Sequence, residues 1–115
     1  MNINIKATQV DLTPALREYI EEKMESIEKL VTRWDATGTV EAHIQVARTS
    51  RHHLKGEVFL AEIDLRLPHE KLHAEAIDAD MRAAIDQMKD MLHRDLERFK
   101  DREVSDRRRR QKGEV

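Results

Sequence analysis

The chain has 115 residues, of which 39% are hydrophobic and 38% are charged, and it contains no cysteine. This length allows one domain with a substantial core, and the lack of cysteine excludes disulfides, thiolate catalysis and cysteine-ligated metal sites. The sequence has no apolar run of the roughly 18 residues that a membrane span needs. Residues 1–6 lack the pattern of a secretory signal, so we expect a cytoplasmic protein.

The charge of the chain is unevenly distributed. Residues 107–115 carry five basic residues and one acid, a net of +4, whereas the other 106 residues carry sixteen basic and twenty-two acidic residues, a net of −6. A second basic stretch, residues 42–56, contains no acid at all. Basic segments on an acidic body indicate a polyanionic partner.

The first predicted elements are a strand and a helix. Residues 2–7 alternate between apolar and polar side chains, which is the period of a half-buried strand. Thr13 and Pro14 mark a helix start, because threonine caps free N–H groups and proline fits the first helical position. The helix of about five turns is predicted by apolar residues at three- and four-residue spacing. They are Leu16, Tyr19, Ile20, Met24, Ile27, Leu30, Val31 and Trp34.

Three more alternating segments predict strands over residues 40–46, 59–67 and 72–76. Clean alternation is typical of antiparallel strands with one face in water. Asp78 or Asp80 can then cap a second helix. Its apolar stripe consists of Met81, Ala84, Ile85, Met88, Met91, Leu92, Leu96 and Phe99. Because the stripe stops there, we expect a domain over residues 1–102 and a basic, disordered tail over residues 103–115.

The element order is therefore β-α-β-β-β-α, and each element has one apolar face. Such elements bury their apolar faces together when both helices lie on one side of the sheet. We expect an α+β fold in two layers, a four-stranded sheet with both helices on one face. The other sheet face is left to water or to a partner.

The sequence contains no pattern that indicates catalysis. Its three glycines are isolated, so it has no phosphate-binding loop, and it has no nucleophile elbow. His43 and His73 can share the open sheet face, but no carboxylate motif accompanies them. We expect no enzymatic activity, no cofactor and no metal.

Basic side chains form three groups whose role the residues alone leave open. The hairpin segment contributes Arg48, Arg51 and Lys55. It is either an anion-binding finger or an ordinary polar loop. The second helix contributes Arg94, Arg98 and Lys100 among others. These residues complement the helix dipole and can pair with neighbouring acids, or they bind an anion. The run at 107–110 is either a phosphate-binding or a solubilising tail.

Several segments occur together in the order and near the spacing of a known family. They are INIKA at 3–7, VDLTPALREYIEEK at 10–23, LHAEA at 72–76 and DMRAAID at 80–86. With these segments, residues 1 to about 102 resemble the family of the ribosome hibernation-promoting factor and ribosome-associated inhibitor A, in its short form. Arg82 departs from the family pattern, which usually has tyrosine there, and the acidic body is unusual for an RNA-binding member.

The resemblance implies the same fold and a non-catalytic function. Proteins of this family bind the small ribosomal subunit in the decoding region, block tRNA and mRNA binding, and stop translation in starvation or stationary phase. Carried over by position, the rRNA-binding residues are Arg17, Lys23, Arg33, Arg94, Arg98 and Lys100. The local charge argument adds Arg48, Arg51 and Lys55. We expect a monomer when free, with the small subunit and its rRNA as partner and no membrane partner.

Two other classes of protein remain open from the sequence. From Thr13 onward the order α-β-β-β-α matches a double-stranded RNA-binding domain, but that module places lysines at the start of its last helix. Asp78 and Asp80 lie there instead and would repel phosphate. The second class is a protein-interaction adaptor that uses the open sheet face or the acidic face of the first helix. For the arginine run at 107–110, our hypothesis is that it adds phosphate contacts.

Overall fold

The computed structural model describes residues 1–35, 38–49 and 58–113. Its elements follow the predicted order β-α-β-β-β-α. They are β1 (Asn2–Thr8), α1 (Pro14–Val31), β2 (Glu41–Thr49), β3 (Val58–Arg66), β4 (Lys71–Asp78) and α2 (Met81–Gly113). A short 3₁₀ turn, Thr32–Trp34, extends α1.

Both helix starts are capped by residues that the sequence marks. The Thr13 hydroxyl oxygen accepts a hydrogen bond of 3.1 Å from the Leu16 N–H, and Pro14 occupies the first turn. The Asp80 carboxylate accepts one of 3.2 Å from the Arg82 N–H. These bonds satisfy N–H groups that have no partner within the helix.

The four strands form one sheet in the order β1-β2-β3-β4. The β2–β3 and β3–β4 pairs are antiparallel as predicted, but β1 and β2 are parallel, so the expectation of a purely antiparallel sheet is wrong. The connection between β1 and β2 explains the parallel pairing, because α1 returns the chain to the end of the sheet where β1 starts before β2 begins. The alternation of apolar and polar residues shows that one face of a strand is buried, but it does not show whether the strand runs parallel or antiparallel to its neighbour.

The core lies between one sheet face and both helices, which confirms the two-layer fold. Helix α1 contributes four fully buried residues, Ile20, Met24, Ile27 and Val31. Helix α2 contributes Ala84, Ile85, Met88, Leu92 and Leu96. The sheet contributes alternate residues of its strands, such as Ile44, Ile63 and Ala74. Met91, predicted in the same stripe, is instead 38% exposed.

Helix α2 is longer than its apolar stripe. It has 33 residues and runs to Gly113, although we expected a disordered tail from residue 103. An apolar stripe shows which part of a helix is buried. Arginine, lysine, glutamate and glutamine favour helix formation even where no side chain is buried. Glu103 and Arg107 also pair at 3.7 Å one turn apart. At 1.5 Å per residue α2 spans about 50 Å, and the longest dimension of the protein is 61 Å.

Within residues 1–35, 38–49 and 58–113, neither helix has the length and apolar character needed to cross a bilayer.

Candidate nucleic-acid interface

The domain has two ends, which differ in the basic residues they carry. The hairpin end contains the end of β2 and the beginnings of β3, α1 and α2. The tail end contains the 3₁₀ turn, the β3–β4 turn and the middle of α2. Two contacts hold the tail end together. The rings of Trp34 and Phe99 lie 5.4 Å apart, and the Val40 N–H donates a hydrogen bond of 3.0 Å to the Asp35 carboxylate.

Three of the predicted rRNA-binding residues lie at these opposite ends. Arg17 is exposed in the first turns of α1. Arg48 is at the end of β2, with its guanidinium 5.8 Å from the centre of the Phe59 ring. Arg33 is in the 3₁₀ turn, 5.4 Å from the centre of the Trp34 ring. Arg51 and Lys55 lie outside the described residues. The predicted set therefore does not form one compact patch.

Lys23 occupies a polar cluster between the two helices. Its ammonium lies 3.2 Å from the Asp86 carboxylate and 5.3 Å from the centre of the Tyr19 ring. The Tyr19 hydroxyl donates a hydrogen bond of 2.6 Å to the same carboxylate. These contacts with Asp86 raise the pKa of Lys23 and of Tyr19 above their ordinary values. Lys23 is thus charged and held in place at the groove between α1 and α2.

The three predicted residues of α2 point in different directions. Each residue advances about 100° around a helix, so Arg98 and Lys100 lie on opposite sides. Arg98 lies beside β4 and pairs with Asp95 at 3.6 Å. It borders a cavity of about 650 Å³ whose other lining residues are Lys71, Leu72, His73, Asp95, Asp101 and Arg102. Arg94 is exposed on the outer ridge of α2. The helix thus separates two grooves, one toward β4 and one toward α1.

The groove toward α1 contains Lys100, which the sequence predicted, together with three residues that the sequence prediction did not include. Arg82, Lys89, His93 and Lys100 are spaced by seven, four and seven residues, which places them within about 20° of one line along α2. We call these four residues the inter-helix stripe. The guanidinium of Arg82 lies 4.9 Å from the centre of the Tyr19 ring on α1, which fixes the direction of the stripe. The seven-residue spacing was the available signal in the sequence.

Acidic residues compensate the stripe only in part. Lys89 pairs with Asp90 at 3.1 Å, and His93 lies 3.7 Å from Glu97. Partial burial favours a higher pKa of Asp86, but hydrogen bonds from Tyr19 and Lys23 outweigh it and leave that pKa below its usual value. Exposed ion pairs of this kind contribute at most about 1 kcal/mol, so a phosphate can replace the acid beside Lys89.

The open sheet face has a different chemistry. Cross-strand registers place His43, Asp64 and His73 side by side on β2, β3 and β4, so the two histidines share this face but are separated by a carboxylate. Asp64 accepts a hydrogen bond of 2.7 Å from the His73 ring. That bond raises the pKa of His73 and lowers the pKa of Asp64. Arg66 and Lys71 on this face pair with the Glu41 and Asp64 carboxylates at 3.7 and 3.9 Å, which leaves little unpaired positive charge there for a phosphate.

One group of side chains on this face approaches the arrangement of a metal site. Glu62, His73 and Glu75 each place a ligand atom within 4.8 Å of the others. Exposed carboxylates are often grouped in this way without a metal, and His73 already bonds to Asp64. The expectation from the sequence that the protein binds no metal therefore remains a prediction.

Comparison with known proteins gives a consistent result. Residues 3–104 match the family described as Sigma 54 modulation protein / S30EA ribosomal protein. The chain is 33% identical to the ribosome hibernation promoting factor of Azotobacter vinelandii, over 90% of this chain and 87% of that protein. It is 31% identical to the protein of the same name from Escherichia coli K12, over 89% and 96% of the two chains.

Solved structures share the fold as well. The N-terminal domain of Thermus thermophilus Protein Y is similar with a TM-score of 0.66 and 31% identity, over 86% of this chain and 99% of that chain. A ribosomal subunit interface protein from Coxiella burnetii is similar with a TM-score of 0.62 and 25% identity, over 87% and 98%. The family match covers the two-layer domain and ends at residue 104, before the arginine run.

Proposed function

The chain belongs to the Sigma 54 modulation protein / S30EA ribosomal protein family, and from this premise we propose that it is a ribosome hibernation factor that inhibits translation. It would act in the cytoplasm by binding and not by catalysis. Family membership over residues 3–104 is the observation that carries this proposal. The names of the relatives support it, since they refer to ribosome hibernation.

The proposed partner is the small ribosomal subunit, with the domain in the decoding region where it excludes tRNA and mRNA. A folded domain in a cleft walled by rRNA needs cations where it meets phosphates. It need not read sequence, because shape and backbone contacts suffice for structured RNA. The groove between α1 and α2 gathers such cations on one line of α2, whereas Arg66 and Lys71 on the open sheet face are paired with the Glu41 and Asp64 carboxylates. We therefore propose that the helices face the rRNA.

We propose a central set of rRNA contacts within this layer and a second, flanking set. The central set is the inter-helix stripe together with Lys23, because these residues share one groove. The flanking set is formed by the remaining predicted basic residues, Arg17, Arg33, Arg48, Arg51, Lys55, Arg94 and Arg98. Of these, Arg98 borders the β4 groove beside Arg102, whereas the Lys71 ammonium at the edge of that groove lies 3.9 Å from Asp64 on the sheet face.

The arrangement at the start of α2 argues against a general double-stranded RNA-binding module. The carboxylate of Asp80 caps this helix start, and Asp78 accepts a hydrogen bond of 2.9 Å from the Asp80 N–H. Two carboxylates thus occupy the helix end that such a module would turn toward phosphate. Binding to plain duplex RNA is therefore a useful contrast in the experiment.

The test is co-sedimentation with washed small subunits through sucrose gradients at several salt concentrations. We expect the triple variant R82Q/K89Q/K100Q to bind at least tenfold more weakly and to lower the salt slope by about 2 to 3, as the loss of three phosphate contacts requires. The matched control is K6Q/R66Q/K71Q, which removes the same charge from the sheet side. The control should keep the parent affinity.

Three outcomes would contradict the proposal. The first is an unmodified protein that fails to bind small subunits or fails to inhibit a purified translation system. The second is an equal loss in both triple variants, which would indicate a general effect of charge and not a helical interface. The third is equally tight binding to plain duplex RNA, which would favour the double-stranded RNA-binding module.

A further inference from the structure

The last turns of α2 differ from the rest of the protein in charge. Five of the six residues from 107 to 112 are basic and none is acidic, whereas residues 1–106 carry a net charge of −6. The segment belongs to a helix that continues to Gly113. The proposed function does not use this segment, and the family match ends at residue 104.

The position of these turns separates them from the domain. Glu103 is held to the domain by a hydrogen bond of 2.9 Å from the indole N–H of Trp34. Each later residue lies about 1.5 Å further along the helix axis, so residues 107–110 lie about 6 to 10 Å beyond this contact. Arg107 is 68% exposed, and its ion pair with Glu103 is within the same helix. The basic turns therefore project from the tail end of the domain.

The distribution of charge around the helix indicates the shape of the partner. Arg107, Arg108 and Arg109 follow one another at steps of about 100° and so span about 200° of the circumference. A flat anionic surface can contact only one or two of them at a time, whereas a partner with anionic walls on both sides can contact all three. The helix dipole favours basic residues in the last turn, but it does not require four consecutive arginines.

We propose that residues 104–113 insert into a groove of RNA whose two phosphate walls flank the helix. This rests on the proposed function, because it assigns an additional contact to the same ribosome-bound protein. An undistorted A-form major groove is deep and narrow, while a helix with side chains is about 10–12 Å wide. The proposed site is therefore a groove widened by a bulge or a junction, beside the contact made by the domain.

Single substitutions test this geometry. Each of R107Q, R108Q, R109Q and R110Q is assayed with washed small subunits across salt concentrations. Insertion between two walls predicts that every variant lowers the salt slope by a similar amount, about 0.7 to 0.9. The quadruple lysine variant should keep most of the slope, since it keeps the charge. An effect confined to one or two neighbouring positions would overturn insertion, as would four variants with unchanged slopes.

The chemical nature of the partner is tested by crosslinking. The chain has no cysteine, so Gln111→Cys creates a single attachment site for a photoreactive group at the end of α2. We expect crosslinks to rRNA, and crosslinks to protein alone would overturn the proposal. Failure of the unmodified chain to bind subunits would instead contradict the proposed function. Normal binding combined with unchanged slopes for all four variants contradicts only the inference about the helix.

Discussion

At the scale of single residues, the basic side chains of the open sheet face and those of the helical layer have different partners. On the open sheet face, the His73 ring bonds to Asp64 at 2.7 Å, with Lys71 3.9 Å from the same carboxylate and Glu75 3.7 Å from the ring. The charged groups of this face therefore have partners of opposite charge within the protein. On the helical layer Arg82 contacts an aromatic ring, and a cation over a ring can still meet a phosphate.

The His73–Asp64 pair should make stability depend on pH. The raised pKa of His73 means that its contribution is complete below 6.5 and is lost as pH rises through the folded-state pKa. The lowered pKa of Asp64 means that its contribution is complete above 3.8 and is lost as pH falls through the folded-state pKa. The pair is therefore most stabilising between about pH 4 and 6.5.

We expect His73→Gln to lower the free energy of unfolding by less than about 1 kcal/mol in this window, because both side chains are partly exposed. The difference from the parent protein should shrink above this window. Urea denaturation from pH 4 to 9 measures it, with His69→Gln in the exposed β3–β4 turn as the control. A difference that is the same at every pH would contradict the assignment.

The sequence could name basic residues but could not place them. Arg94 and Arg98 are separated from Lys100 by rotation around one helix, and neither composition nor a local run shows which groove each one faces. The stripe through Arg82 and Lys89 needed the position of α1, which Tyr19 provides in the structure. The site residues carried over by resemblance stay predictions until binding is measured.

At the scale of elements, the contact between α1 and α2 combines packing with a polar cluster. The cluster consists of Tyr19 and Lys23 on α1 and Arg82 and Asp86 on α2. The Tyr19 ring lies beside two cations while its hydroxyl bonds to the carboxylate. This arrangement fixes one end of the groove in which the inter-helix stripe lies.

Removal of the Tyr19 hydroxyl should therefore destabilise the protein without changing its fold. Tyr19→Phe keeps the ring beside Arg82 but loses the hydrogen bond to Asp86, which we expect to cost about 1 kcal/mol. Asp90→Asn provides the matched control, because Asp90 lies one turn further along α2 and pairs with Lys89. Urea denaturation compares the two variants. Equal stability of Tyr19→Phe and the parent protein would mean that water replaces this bond at no cost.

The elements themselves were largely predictable, and the exceptions have physical reasons. Thr13 with Pro14 marked the first helix start and Asp78 or Asp80 the second, because capping is a local property of the chain. The parallel direction of β1 could not be read from alternation, since it depends on the return path through α1. The end of α2 was predicted too early, with a disordered tail from residue 103, because periodicity disappears where burial ends and not where the helix ends.

At the scale of the whole molecule, shape and charge are both asymmetric. The radius of gyration is 16.7 Å, compared with about 13 Å for a compact chain of this length. The excess comes from the part of α2 beyond the domain. The same segment carries the positive charge, so the elongation of the protein and its charge separation have one structural cause.

Small-angle X-ray scattering can test this shape. We expect the full chain to show the larger radius of gyration and a chain truncated after Val104 to approach about 13 Å. Circular dichroism of both chains gives the helical content of the removed segment. The truncated domain should keep the melting temperature of the parent, because it retains the Trp34–Glu103 contact. An identical radius for both chains would show that α2 does not project.

The chain has one tryptophan, and Trp34 lies where the 3₁₀ turn, the ring of Phe99 and the side chain of Glu103 meet. Its indole N–H bonds to α2 shortly before the basic turns begin. The fluorescence of this residue therefore provides an intrinsic optical signal of whether the distal helix remains docked. A shift in its emission upon addition of an RNA fragment, which contains no tryptophan, would register without any label that binding at the basic turns alters this junction.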